Sequence, residues 1–359
     1  MKIAILNLPF DNNYGGNLQR FALMKVLEQM GHHAVHINLL EKYRLKWYVK
    51  PYSYTKRFIQ KYILGKDVKI FLEQYMNKQS IVRSMDAKMF YESYIEHTKP
   101  ITRRKQLKKI IENNYDAVIV GSDQVWRESM TKQIGIDSYF LSFVESDKIK
   151  RIAYAVSMGS ENECFSSKIV PILSNLYSRF NAVSVREEYA LSVLNNYGWT
   201  SPKASWVLDP TMLLDANDYK KVIDEKGFID PLEKKVFCYI LDKSSDFDDR
   251  IDTICKQWNS PYLFQSLNDA ITIEEWLFRI SSSKLVVTDS YHGCVFSLVF
   301  GRPFIFLGNK RRGNARVESL LKMLNISPGS TSNYNVEAVY ARLKGLKKES
   351  LSFLEKSLC

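Results

Sequence analysis

Short apolar runs separated by polar, glycine-bearing turns recur along the 359 residues, and their spacing predicts strands alternating with helices. Residues 2–6 read as a first strand. After a turn-rich stretch over 9–17, the apolar positions Leu18, Phe21, Ala22, Met24, Val26 and Leu27 approximate one helical stripe, which Gly31 stops. Residues 33–39 read as the next strand, which completes a unit of the kind that builds parallel sheets. From 42 to about 111 this alternation gives way to basic, aromatic and mostly helix-favouring sequence, read as an insertion carrying helices.

Alternation resumes at 115–121, a continuous apolar run expected of a strand buried on both faces. Strands follow at 151–156 and 182–185, with helices at 169–180 and 187–197. Residues 205–210 read as an extended link into a second half. There, helices are predicted near 217–225 and at 247–258, 273–281, 294–300 and 316–324, and strands at 235–241, 261–264, 284–288 and 303–307. The fold class is therefore α/β: two Rossmann-like, doubly wound domains, 1–205 and 206–359, facing a cleft.

Composition changes this picture little. With 45% apolar, 25% charged and 13% aromatic residues, wholesale disorder is excluded. The formal charge of +12 favours anionic partners: a phosphorylated small molecule, an acidic polymer or an anionic membrane leaflet. Much of that charge lies in 42–66, interleaved with Tyr43, Trp47, Tyr48, Tyr52, Tyr54 and Phe58, a mixture that can rest on membranes or polysaccharides. The first apolar run is too short for a signal peptide, and no run of about 18 apolar residues exists to span a bilayer. The expected location is cytoplasmic, with peripheral contact at the inner membrane face. Cys164, Cys238, Cys255, Cys294 and Cys359 are scattered and never spaced Cys-x-x-Cys, which argues against a disulfide framework or a zinc site.

Five polar clusters carry candidate chemistry. In Asn13-Tyr14-Gly15-Gly16-Asn17, Gly15 and Gly16 precede the first predicted helix, where backbone N–H groups can approach an anion; the competing reading is a turn with Asn17 as helix cap. Ser122, Asp123 and Gln124 leave the end of a buried strand and can bind sugar hydroxyls, whereas Trp126 is better read as core. Arg186 follows the strand at 182–185 and can fork onto a carboxylate or phosphate, unless Glu187 or Glu188 pairs with it. Thr288-Asp289-Ser290-Tyr291-His292-Gly293 interrupts buried sequence at the carboxyl end of a strand, where open α/β sheets bind ligands, with Gly293 opening the next helix. The basic run Lys310, Arg311, Arg312 and Arg316 follows another strand; its competing reading is a solvated loop.

Taken in this order, the motifs resemble those of the polysaccharide pyruvyl transferase family: Asn13 to Gln19, Asp116 to Trp126, Val183 to Arg186, Leu208-Asp209-Pro210-Thr211, and Thr288 to Pro303 with the loop up to Arg316. The resemblance implies a fold similar to GT-B glycosyltransferases and transfer of pyruvate from phosphoenolpyruvate to a glycan or lipid-linked glycan precursor. It implies donor binding through Arg186 and His292. Several members carry Arg-Leu-His-Gly at the latter motif; here Ser290 and Tyr291 precede His292, so Lys310, Arg311, Arg312 or Arg316 are the candidates to supply the missing charge. His292 is the expected acid or phosphate stabiliser, and Asp289 or Asp123 the base. Neither a metal, a further cofactor nor a nucleic-acid partner is expected. The alternatives are a glycosyltransferase using a nucleotide sugar, and a non-catalytic module binding anionic glycans or membranes through 42–66.

Overall fold

Alternate residues of each central strand enter different cores, which is why the runs are continuously apolar. In β1 (Lys2–Leu6), Ile3 and Ile5 pack on one side of the sheet while Ala4 and Leu6 pack on the other; Ala117 and Ile119 alternate in the same way with Val118 and Val120 in β3 (Ala117–Asp123), as the twofold side-chain period of a strand requires. β2 (His33–His36), β4 (Lys150–Val156), β5 (Ala182–Val185) and β6 (Ser205–Trp206) complete a parallel sheet in the order β2-β1-β3-β4-β5-β6. The link predicted over 205–210 thus begins as that sheet's edge strand. A second parallel sheet contains β7 (Val236–Ile240), β8 (Tyr262–Ser266), β9 (Leu285–Thr288) and β10 (Phe304–Phe306), in the order β10-β9-β7-β8. This computed structural model describes all residues except 41–42, 113, 161–164, 229–234, 244–245, 267–268, 270 and 309–313.

Both sheets reverse direction of growth, the first at β1/β3 and the second at β7/β9. Such switch points leave a crevice at the carboxyl ends of the strands. One apolar cluster joins the halves, with Ile3 and Ile5 of the first sheet and Phe237, Tyr239 and Val286 of the second among its members. The final helix (Val336–Leu358) reinforces the union: the Tyr340 hydroxyl donates to the Leu298 carbonyl in the second half, whereas Ser350 Oγ accepts from the Leu208 amide and Phe353 packs on Tyr154 of the first sheet. The stretch read as a helix-bearing insertion carries, among its described residues, the helices Lys50–Tyr62, Leu72–Arg83, Met85–Tyr94 and Lys105–Ile111. No helix among the described residues is long and apolar enough to cross a membrane.

Two helix starts differ from the sequence reading. The first helix spans Tyr14–Gln29, so Gly15 and Gly16 lie in its first turn, and its cap is Asn13, whose side chain accepts from the Gly16 amide. The helix after β9 spans Tyr291–Val299, so His292 is a first-turn residue and Ser290 is the cap, accepting from the Gly293 amide. In both cases a polar N-cap precedes residues whose composition alone suggests a loop.

Candidate active site

A cavity of about 660 Å³ opens at the two switch points. Its walls include Leu8 and Pro9 after β1, Asp123 and Gln124 at the end of β3, Leu241 after β7, and Asp289 and Ser290 after β9. The helices Tyr14–Gln29 and Tyr291–Val299 both begin there, one from each half, with Tyr14, Gly15, Tyr291 and His292 on the wall. Their positive ends therefore converge on one space, the field an anion favours.

His292 crosses from the second half to the first. A Cβ on Gly15 would lie 1.9 Å from its Nδ1, so only a glycine there admits the imidazole. Its Nε2 lies 3.8 Å from Asp209 Oδ2, within ion-pair range but too far for a hydrogen bond, and has no hydrogen-bond partner among the described residues.

Asp209 is the hub of a buried polar network. Its Oδ1 accepts from the Thr211 amide at 3.0 Å and the Thr211 hydroxyl at 2.6 Å. Its Oδ2 accepts from Gln19 Nε2 at 2.6 Å and Arg186 at 3.0 Å, with Ser122 Oγ at 3.5 Å. Burial alone would raise its pKa, but His292, Arg186 and Thr211 outweigh that and hold the carboxyl below the ordinary range. Arg186 is buried too, donating through Nε to Glu187 at 2.8 Å, with its guanidinium 4.6 Å from the Tyr291 ring centre. The competing reading, a pairing of Arg186 with Glu187, is the one that forms, and one terminal nitrogen, Nη2, has no hydrogen-bond partner among the described residues. Burial lowers the Arg316 pKa and the nearby Arg186 lowers it further, with Glu187 and Asp123 opposing. Arg316 lines the cavity.

The remaining predicted residues divide into wall and scaffold. Asp123 lines the cavity with a φ of 73°, a left-handed conformation that costs a non-glycine residue energy and that the end of β3 imposes. Gln124 is also on the wall, its Oε1 accepting from Arg127 at 2.8 Å. Asp289 uses both oxygens to accept from the Leu241 and Asp242 amides, at 2.7 and 3.0 Å, tying the loops after β7 and β9 together. Ser122 is buried and accepts from Gln19 at 2.7 Å. Asn17 is buried and bonded to Asp11, Asn13 and Arg20. A Cβ on Gly293 would strike Thr288 Oγ1 at 2.4 Å, so close packing requires that glycine, while the Thr288 hydroxyl donates to the Tyr239 carbonyl. Trp126 is core, as expected, stacked on Phe140 and donating to the Tyr139 carbonyl. Lys310, Arg311 and Arg312 lie outside the described residues.

Asp209, Gln19 and Tyr14 were not among the predicted site residues. An aspartate before Pro-Thr carried a local signal, since that arrangement caps a short helix. Tyr14 lines the cavity, donates to the Ile271 carbonyl at 2.8 Å across the cleft, and has its pKa pushed by burial to about 12. Nothing in the sequence near Tyr14 announces that bond.

The family model of polysaccharide pyruvyl transferases matches residues 13–311. No curated protein matches the chain in sequence. Among solved structures, it is similar to the UDP-GlcNAc 2-epimerase of Methanocaldococcus jannaschii, at 13% identity and a TM-score of 0.51, covering 97% of this chain and 93% of that one. It is also similar to a Listeria monocytogenes protein assigned as a UDP-N-acetylglucosamine 2-epimerase, at 11% identity and a TM-score of 0.52, covering 99% and 89%. These likenesses concern the fold, which is GT-B-like with two parallel sheets facing a cleft.

Proposed function

The chain belongs to the polysaccharide pyruvyl transferase family, and on that premise we propose that it transfers pyruvate from phosphoenolpyruvate to two hydroxyls of a glycan precursor, forming a cyclic ketal. One observation carries the choice of donor: two helix N-termini, Arg316 and His292 meet in one cavity, which suits a small molecule with a carboxylate and a phosphate.

In the reaction, His292 protonates the methylene carbon of the donor, turning it into a methyl group and making C2 an oxocarbenium-like electrophile. A first sugar hydroxyl attacks C2 and gives up its proton. The bond from C2 to the phosphate oxygen then breaks, and a second hydroxyl closes the ketal. Of the two hydroxyl protons, one balances the proton placed on carbon and the other leaves on phosphate. Asp209 Oδ2 stands 3.8 Å from Nε2 of His292, so a carboxylate lies behind the ring that delivers the proton. Asp123, on the wall at the end of β3, is placed to receive the hydroxyl proton. Arg316 holds the donor's anionic groups in the bound complex, and the helix N-termini stabilise the departing phosphate.

The test has two arms. Phosphoenolpyruvate should raise the melting temperature while a panel of nucleotide sugars leaves it unchanged, since only the true donor stabilises the fold. His292→Ala should lose pyruvylated product while still unfolding in one cooperative transition, at a lower melting temperature because Asp209 loses a neighbour. Stabilisation by a nucleotide sugar alone would assign the cavity to glycosyl transfer instead, and an active His292→Ala would remove the histidine from its role.

A further inference from the structure

Residues 43–71 carry eight lysines and arginines against a single acidic residue, Asp67. The helix Lys50–Tyr62 within them buries none of its residues. Trp47 is 81% exposed and Ile63 70%, and Tyr52, Ile59, Tyr62 and Leu64 are exposed beside them. Tyr52, Ile59 and Ile63 recur at intervals of seven and four residues, which places them on one stripe, with Lys56 at its edge. This surface belongs to a closed hairpin. Arg57 pairs with Glu73 at 2.8 Å and Tyr54 packs edge-on against Phe71, joining the helix to Leu72–Arg83. That second helix in turn lines the cavity with Tyr75, Met76 and Gln79.

We propose that this hairpin docks on the surface of an anionic lipid bilayer, its aromatic and aliphatic stripe seated at the boundary of headgroups and acyl chains and its lysines at the lipid phosphates. Charge complementarity selects this occupant. The same face of a second copy would carry the same excess of positive charge and be repelled. An anionic glycan would satisfy the lysines but gains little from Ile59, Ile63 and Leu64, which offer nothing to hydroxyl groups. Because the hairpin's other helix walls the cavity, docking holds the mouth of the cleft beside the membrane, where a lipid-linked acceptor would be carried. The docking itself does not depend on which donor the cavity takes.

Co-sedimentation of the full chain with vesicles tests the proposal. The protein should pellet with vesicles of phosphatidylethanolamine and phosphatidylglycerol and stay in solution with phosphatidylcholine alone. Trp47→Ser/Tyr52→Ser/Ile63→Ser and, separately, Lys56→Glu/Lys61→Glu should each weaken binding by about tenfold or more with an unchanged melting temperature. Equal pelleting with both lipids, full binding by the triple serine variant, or retention by soluble polygalacturonate in place of vesicles would overturn it. So would self-association that the serine variant abolishes in a protein that leaves vesicles unbound.

Discussion

Gly15 and His292 occupy what would be the same space if Gly15 carried a side chain: its Cβ would lie 1.9 Å from Nδ1 of the imidazole. The first helix of one half therefore accepts the candidate acid of the other half by omitting an atom group. Gly15→Ala should displace the imidazole, destabilise the protein by about 1–3 kcal/mol, and reduce turnover by about 100-fold if the ring moves by roughly 1 Å. Steady-state kinetics together with thermal denaturation check this, and wild-type turnover in the variant would show that the contact is dispensable.

Asp209 predicts an acid dependence. Its folded pKa is depressed relative to the unfolded chain, so its stabilising contribution is fully present above the ordinary aspartate value of about 3.9 and is lost as pH falls below it toward the folded value. Asp209→Asn removes the negative charge facing Arg186 and His292 and should cost about 3 kcal/mol near neutrality. The stability gap between wild type and variant, measured by denaturant unfolding across pH, should narrow as pH is lowered through that window. A gap independent of pH would mean that the carboxylate charge contributes nothing.

Arg316→Ala should act on donor binding alone. Arg316 lines the cavity, and when it is removed the buried Glu187 and Asp209 keep Arg186 as their ion-pair partner. With phosphoenolpyruvate as donor, KM should rise by about 10- to 100-fold, the worth of a charge-assisted hydrogen bond, with little change in kcat. A matching loss in kcat would place the guanidinium in the transition state instead, and no change in either would exclude it from donor binding.

Tyr14→Phe should weaken the union of the two halves. The variant keeps the ring against Tyr239 and Trp276 but loses the 2.8 Å bond to the Ile271 carbonyl. A loss of about 1 kcal/mol in unfolding free energy is expected. Hydrogen exchange at the start of the first helix should quicken in parallel, and unchanged exchange there would show the bond to be incidental.

The periodicity of the chain determined much of the architecture. Continuous apolar runs such as 117–120 are intelligible only as strands covered on both faces, and their alternation with helical stripes implies parallel sheets, as observed. Composition likewise marked 42–66 as basic and aromatic, and Trp126 was legible as core because so large an apolar side chain is mostly buried in a folded protein. Local chemistry was less decisive at helix starts, where Asn13 and Ser290 draw residues that look like loop into the first turn.

Only tertiary structure could decide which side chains meet. Gln19, Ser122, Arg186, Asp209 and His292 come from segments far apart in the chain and converge because two switch points face each other across a shared core. Propensity and periodicity are properties of neighbours along the chain, whereas the 3.8 Å between His292 and Asp209 depends on how the two sheets dock. The sequence by itself determined the elements, their parallel order and the chemical types available to the cleft. Packing between the halves decided that Gly15 makes room for His292 and that Asp209 stands behind it, because such contacts are set by the sterics and burial of surfaces that are not adjacent in sequence.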